Sequence, residues 1–461
     1  MPLEAIEGLG ERLKRCWRYY GQWTRTKSHQ TPECGFHYLS GMLRLSSGRN
    51  IAHISRSGGV AEQNMQHYIS HSPWSGRGMM AAIQESVAQR AELRGGMLIL
   101  DESGEDKSGE HSPGVMRQYN GRHKQIENCQ VGVYLTYGKG TTWTWVDGEL
   151  YLPQRWFSAE YQSQRQKAEI PPERRFHSKL DLGWQMIERA QATGLDFSAL
   201  AFDTFYGEDS AFRDRCRAAG IIYYADVRSS NQFFRSKPVV EFPPLRVGAR
   251  RQHPRVTAPW SEKVTDIAQD EALQWEHLTL RADERGWLEA DFAACPVWSV
   301  RADGQVVAET LLLRREKRKI TFTLTNAPAA TPLLELAQHQ AQRYFIERTH
   351  QNAKSELGWD EFQALKYRAW EHHLAFTILA SWFIAETQLD WQQEHPRDPA
   401  LLSDYDTDVL PALSLANVRE MLRAALPLPQ LSSEQAALLV VQHLDNRTRS
   451  RKSRLKRRFK P

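Results

Sequence analysis

The sequence predicts an α/β protein: a mixed-sheet core that carries a β-rich insertion and is flanked by helical N-terminal and C-terminal regions. Three observations lead there. Residues 1–94 show helical periodicity with short breaks, whereas from Gly95 the apolar runs shorten to strand length. Those runs follow the order strand, strand, strand, helix, strand, helix, strand. Two of them, at 97–100 and 200–202, end on an aspartate, Asp101 and Asp203, and a third acid, Glu347, lies in a segment that reads as a helix.

In the N-terminal region, residues 38–44 carry helical periodicity and 46–50 break it. A short helix follows at 50–55, a Gly58-Gly59 turn, and a second helix at 60–71. Two short helices around a glycine turn resemble a helix-turn-helix, in which Gln63, Asn64, Gln66 and His67 would offer base-edge donors and acceptors. An ordinary small helical domain accounts for the pattern as well. Strands are expected at 97–100 and 129–137, then at 141–146 and 149–152 after a Gly138-Lys139-Gly140 turn. A helix at 179–192, a strand at 199–202, a helix at 210–219 and a strand at 221–227 complete the order of an RNase H-like core. Residues 229–317 break that order: a Pro- and Arg-rich stretch at 238–259 leads into alternating runs near 275, 286, 297 and 306, read as an inserted β subdomain. The core resumes with a strand at 320–324, a helix at 333–357 and a long buried helix at 367–386. The expected boundaries are 1–94, 95–228, 229–317, 318–392, 393–446 and 447–461.

A chain of 461 residues is too long for one ordinary core, so two to four domains are expected. The start of the chain lacks the basic, uninterruptedly apolar pattern of a signal peptide. The longest apolar run, 374–385, falls short of the roughly 20 residues a membrane span needs. Five dispersed cysteines without a CxxC pair argue for a reducing compartment and against a disulfide framework or a zinc site. The expectation is a cytoplasmic, nucleoid-associated protein with no membrane partner. Net charge is +5, yet residues 447–461 (RTRSRKSRLKRRFKP) alone carry nine Lys or Arg and no acid, leaving the rest near −4. Such a tail has almost nothing to bury; it can serve merely to solvate the chain, but it also displaces counterions from phosphate without reading sequence, which favours DNA as the partner.

Two strand-end aspartates and a helical glutamate suit phosphodiester chemistry, which needs an activated oxygen nucleophile and stabilised charge on entering and leaving oxygens. Two metal ions supply both, and Mg2+ prefers hard carboxylate oxygens. Taken singly, an aspartate after a strand is more often a turn former or helix cap. Arg343 at i−4 and Lys354 at i+7 from Glu347 share its helix face, an arrangement that a solvated ion-pair stripe also produces. Glu102, Glu105 and Asp106 crowd Asp101, but Asp101 directly ends the apolar run.

Several blocks together resemble the bacterial insertion-sequence transposases of the DDE superfamily. Leu100–Gly109, with Gly114–Tyr119 and Asn128–Val133, is similar to the first catalytic block. Phe202–Gly207 resembles the second, and Arg343-(x3)-Glu347-(x6)-Lys354 resembles the Tyr-Arg-Glu-Lys signature of the hairpin-forming branch. The likeness runs from the N-terminal helices to about residue 386. It implies Asp101, Asp203 and Glu347 as ligands of two Mg2+ ions, for which Mn2+ can substitute, and Arg343 and Lys354 as grips on phosphates at the transposon end. The signature's tyrosine position is held by Gln340 and the nearest tyrosine is Tyr344, so that contact is unassigned. In relatives the β insertion can carry a tryptophan that stacks on a flipped base; Trp275, Trp287 and Trp298 are candidates, Trp298 first. Lys107, Arg117 and Lys124, with Arg122 and His123, would lie near the active face and touch phosphate, although a merely solvated loop accounts for them as well.

The resemblance implies a transposase that binds double-stranded DNA at terminal inverted repeats, cleaves it and transfers the ends to target DNA, working as a homodimer. Two other readings use the same residues. One is a domesticated DNA-binding protein that does not cut; the other is an RNase H-like nuclease that needs no defined ends.

Overall fold

The computed structural model describes residues 2–26, 31–243, 254–283, 286–317, 319–363, 365–396, 403, 413–428 and 432–458. Part of the Pro- and Arg-rich stretch, most of the Pro- and Asp-rich loop after 396 and the last three residues of the basic tail therefore lie outside the described residues.

Six helices open the chain: α1 (Leu3–Glu7), α2 (Leu9–Tyr20), α3 (Thr31–Arg44), α4 (Ile51–Gly58), α5 (Glu62–Ser70) and α6 (Gly76–Gln89). The Asn50 side chain caps α4 by accepting from the His53 N–H, and α4 ends where Gly59 turns left-handed at φ 69°. α5 buries Met65, Tyr68 and Ile69 and leaves Gln63, Asn64, Gln66 and His67 exposed.

The core strands are β1 (Gly96–Asp106), β2 (Met116–Asn120), β3 (Gln125–Lys139) and β4 (Thr142–Leu150). α7 (Gln162–Lys167) and α8 (Lys179–Ala192) lead to β5 (Phe197–Phe202), and α9 (Thr204–Gly207) and α10 (Ser210–Ala218) lead to β6 (Tyr223–Val227). β1 pairs antiparallel with β3 and parallel with β5; β4 lies antiparallel on β3, and β6 parallel on β5. The order β4-β3-β1-β5-β6, three antiparallel strands followed by two parallel ones, fits an RNase H-like core. α8 starts on a capping box in which Ser178 and Asp181 exchange hydrogen bonds. β2 was not expected from the sequence. β1 also runs five residues past Asp101, because β3 continues to pair with it as far as Asp106.

The insertion contains β7 (Gln232–Phe233), β8 (Val239–Glu241), β9 (Arg255–Ala258), β10 (Glu262–Lys263), α11 (Val264–Ile267), β11 (Glu276–Asp283), β12 (Gly286–Val300) and β13 (Val306–Glu316). Its three long strands do not stand apart from the core. β14 (Lys319–Thr325) pairs with both β13 and β6, so one ten-stranded sheet runs from β11 across to β2. This pairing satisfies the outer edge of β6, whose amides would otherwise be left open. On one face, Glu309 of β13 accepts from Arg213 Nε of α10 at 3.0 Å and from the Tyr223 hydroxyl of β6 at 2.5 Å, all of them buried.

Residues 333–357 form two helices, α12 (Leu333–Gln342) and α13 (Tyr344–Ser355), rather than one. The break falls at Arg343, where the ladder tightens: Arg343 N–H bonds to Gln340 O and Ile346 N–H to Arg343 O, both i to i−3. α14 (Tyr367–Glu394) then packs against α3, α5, α6 and β4, buried on nearly every side from Tyr367 to Trp391. α15 (Leu415–Ala425) packs on α2 and α3, and α16 (Ser433–Arg458) takes in most of the basic tail. The tail, which has almost nothing of its own to bury, continues a helix begun before it. The apolar run at 436–441 starts a helix that Arg and Lys, both good helix formers, continue. No helix among the described residues is long and apolar enough to cross a membrane. The five cysteines are free.

His373 in α14 is buried, stacks on Trp359 and Phe362, and lies 2.8 Å by Nδ1 from the Tyr38 hydroxyl of α3. Burial holds its pKa down at about 3, against 6.5 for a free histidine. Between those values the unfolded chain binds a proton that the folded chain refuses, so stability rises with pH through this window and is lost as pH falls below 6.5. From pH 7 to pH 5 this one group should cost the wild type about 2 kcal/mol more than it costs His373→Gln. Urea melts of both proteins at the two pH values measure the difference, and parallel losses would refute it.

Candidate active site

Alternation along the strands decides where the acids go. On one sheet face Met97, Ile99, Ala199, Ala201 and Tyr224 pack against Leu336 and Ala337 of α12 and Phe345 and Ile346 of α13. The intervening residues Leu98, Leu100, Leu200, Phe202 and Ala225 face the other way, toward α8 and α10. Two residues past Ile99, Ala201 and Tyr224 stand Asp101, Asp203 and Asp226, which therefore share the α12–α13 face. Leu100 lies beside Phe202 and Phe202 beside Ala225, so the three acids are level at one end of three adjacent strands.

The helix break at Arg343 completes the cluster. Arg343 Nε donates to Asp226 at 2.7 Å and its NH2 group lies 3.3 Å from Glu347. Its charge also reaches Asp101 and Asp203. Burial, then the Asp203 charge, pushes the Asp101 carboxyl well above the usual carboxylate range. Burial, then Glu102, pushes Asp203 to about 6. Asp203 caps α9, accepting from the N–H of Phe205 at 3.0 Å. Two desolvated, mutually repelling carboxylates served by one guanidinium are short of positive charge, and a hard divalent cation would supply it. Among the described residues no three acid, histidine or cysteine side chains close into a metal cage. Glu347 is more than half exposed and turned onto Arg343. The chemistry of Asp101 and Asp203, two desolvated carboxylates on neighbouring strands, fits a hard divalent ion.

The remaining expected residues fall in different places. Lys354 does not share an open face with Glu347: its side chain is mostly buried, 2.7 Å from Glu105 and 2.8 Å from the Ser103 hydroxyl, and it holds the extension of β1. Lys107 points back at Phe362 O, 3.4 Å away. Arg117 and Lys124 are exposed on the β2–β3 hairpin, which projects past the catalytic end of β1. Arg122 and His123 are ion-paired with acids. Trp298 is not brought to the acids. On β12 it lies opposite Ala308, four residues beyond Ala294, which is level with the site through Leu312, Thr323 and Asp226. Its backbone instead pairs with Phe234. Glu102 faces Lys179 of α8 at 2.7 Å, and Glu356 is taken by Arg419.

Sequence reasoning missed Asp226 and His350. Asp226 carries a signal like that of the other two aspartates, an acid that follows an apolar run of strand length. His350 is buried one turn beyond Glu347, and burial lowers its pKa to about 3. Beside Glu347 opens a groove of about 720 Å³ whose walls include Arg281, Arg314, Lys319, Arg343 and Tyr344. Within it Phe345 lies between Trp143, stacked at 4.4 Å, and the Arg281 guanidinium at 4.2 Å.

An RNase H-like sheet with aligned acids and a cationic groove defines a class of enzyme that acts on nucleic-acid phosphodiesters. Residues 18–287 match the family described as DDE superfamily endonuclease, more than half of the chain, and the chain belongs to that superfamily. The match spans Asp101 and Asp203 and stops short of Glu347. The chain is also 24% identical over 312 residues to a probable transposase for insertion sequence element IS701 from Microchaete diplosiphon, covering 66% of this chain and 70% of that protein. Members of the superfamily act on DNA and generally use divalent metal ions.

Proposed function

We propose that this chain is a transposase that binds the terminal inverted repeats of its own element, cuts the strands there and joins the freed ends to a target. Asp101, Asp203 and Glu347 are the proposed ligands of two Mg2+ ions, with Mn2+ as a substitute. The observation that carries the reading is that Asp101, Asp203 and Asp226 stand level at one end of three adjacent strands, where Arg343 bridges Asp226 and Glu347. The likeness to an insertion-sequence transposase supports it. Bound there, two divalent ions would supply an activated water and charge relief on the leaving oxygen.

The chain's own groups do the rest. Arg343 neutralises the acids and, once Glu347 engages elsewhere, has donors to spare for a phosphate. Lys354 holds β1 in register through Glu105, so its part is first structural. Arg117 and Lys124 on the hairpin and the basic half of α16 add phosphate contacts without reading bases. The exposed polar face of α5 is suited to base edges in a major groove. Of the three tryptophans, Trp287 is exposed and lies on the catalytic-end side of β12, which makes it the better platform for a flipped base. Two ends must be held together, so the working assembly is at least a homodimer.

The test is cleavage of DNA spanning the gene's own flanks, with Mg2+ and with chelator. Cuts at defined inverted ends that need the metal are the expected result. Binding without cuts would replace the reading with a non-cleaving DNA-binding protein, and cuts indifferent to the ends would replace it with a nuclease.

A further inference from the structure

We infer that His350 is the positioning partner of Asp101: its imidazole stands behind the carboxylate and turns it to the orientation in which it takes a metal. The inference rests on Asp101 being a metal ligand, as proposed above. His350 follows Glu347 by three residues on α13, so the helix that supplies one acid also supplies a neighbour to another. Its Nε2 is 4.0 Å from Asp101 Oδ2, just beyond hydrogen-bond length. Neither ring nitrogen has a hydrogen-bond partner, although both are shut off from solvent.

The ring is held where it is. Tyr134 meets it edge-on at 5.3 Å and Trp145 at 5.5 Å, and those two rings stack on each other at 4.6 Å. Tyr134 is also the cross-strand partner of Asp101, so carboxylate and imidazole share one support. A neutral imidazole carries one N–H, and leaving it buried and unmade costs free energy. An ordinary core histidine would have that donor satisfied, as buried polar groups nearly always are. Here a desolvated carboxylate oxygen 4.0 Å away is within reach of it. Ligating carboxylates are themselves hydrogen-bonded from outside, and losing that partner weakens metal binding or activity roughly 10- to 100-fold.

The full-length chain is titrated with Mn2+ and free ion is followed by electron paramagnetic resonance, comparing His350→Gln with His350→Met. These side chains are nearly the same length, and only glutamine carries an amide that can donate a hydrogen bond to the carboxylate. The expected result is a Mn2+ dissociation constant raised roughly 10- to 100-fold in His350→Met, little change in His350→Gln, and DNA binding without metal alike in both. Wild-type affinity in His350→Met overturns the inference, and so does equal weakening in both variants, which would make the role one of packing. Asp101→Asn separates the two layers. If it leaves Mn2+ binding intact, the ligand assignment fails and takes the inference with it; if it weakens binding while His350→Met does not, only the role of His350 falls. Should His350→Met fail to fold, wild-type chain labelled with ¹⁵N-histidine decides. Mg2+ should then slow exchange of the His350 ring proton, and an unchanged signal at saturation overturns the inference.

Discussion

Asp203→Asn should abolish strand cleavage while leaving the protein at least as stable as the wild type. Asparagine caps a helix as well as aspartate does, so the bond to the Phe205 N–H survives. The carboxyl of Asp203 is raised to about 6 by burial and by Glu102, which means the fold resists its negative charge. Removing that charge also relieves Asp101, whose strongest charged neighbour is Asp203. A residue present only for structure would not behave this way. On the proposed assignment, the lost function is the holding of a cation opposite the charge that develops on phosphate. Removing a single major electrostatic stabiliser of a transition state typically costs on the order of 10²- to 10³-fold, and a metal ligand should reach the upper end. Single-turnover cleavage of end-bearing DNA and a thermal melt of the same preparation check both halves. Cleavage within about tenfold of wild type, well short of that range, would remove Asp203 from the site.

The second large effect lies away from the acids. Glu309→Ala should destabilise the fold by about 3–5 kcal/mol, the usual cost of removing one partner of a buried ion pair. Arg213 would be left buried with its guanidinium uncompensated, and the Tyr223 hydroxyl and Ser299 would lose their acceptor. Because Glu309 ties β13 of the insertion to α10 and β6 of the core, the loss should appear in one cooperative transition. Guanidinium unfolding followed by circular dichroism gives the number. A loss below about 1 kcal/mol, the scale of a surface pair, or an early separate transition, would mean that the insertion folds on its own.

The contrast between these two sites tracks what can be seen in the chain alone. Asp101 and Asp203 stand out because each follows an apolar run of strand length, and the period-2 pattern of such runs can be counted. Helix α8 has the same bounds as expected, since Ser178, Asp181 and the apolar spacing all act within one segment. Asp226 also follows an apolar run, but only the pairing of β6 with β5 sets it level with Asp203. His350 had no local signal, because its burial comes from Tyr134 and Trp145, more than 200 residues earlier in the chain.

By itself the sequence determined the superfamily resemblance, the order of the core strands and the apolar runs that Asp101 and Asp203 follow, because each is encoded in contiguous residues through side-chain alternation and capping. Only the tertiary structure decided that the insertion extends the core sheet, that Arg343 breaks its helix beside the acids, that Lys354 serves Glu105 and that Trp298 lies four residues from the level of the acids. Those outcomes depend on strand register and on which distant charges are desolvated together. Register is chosen by the free energy of pairing and burial over the whole sheet, a quantity no single segment contains.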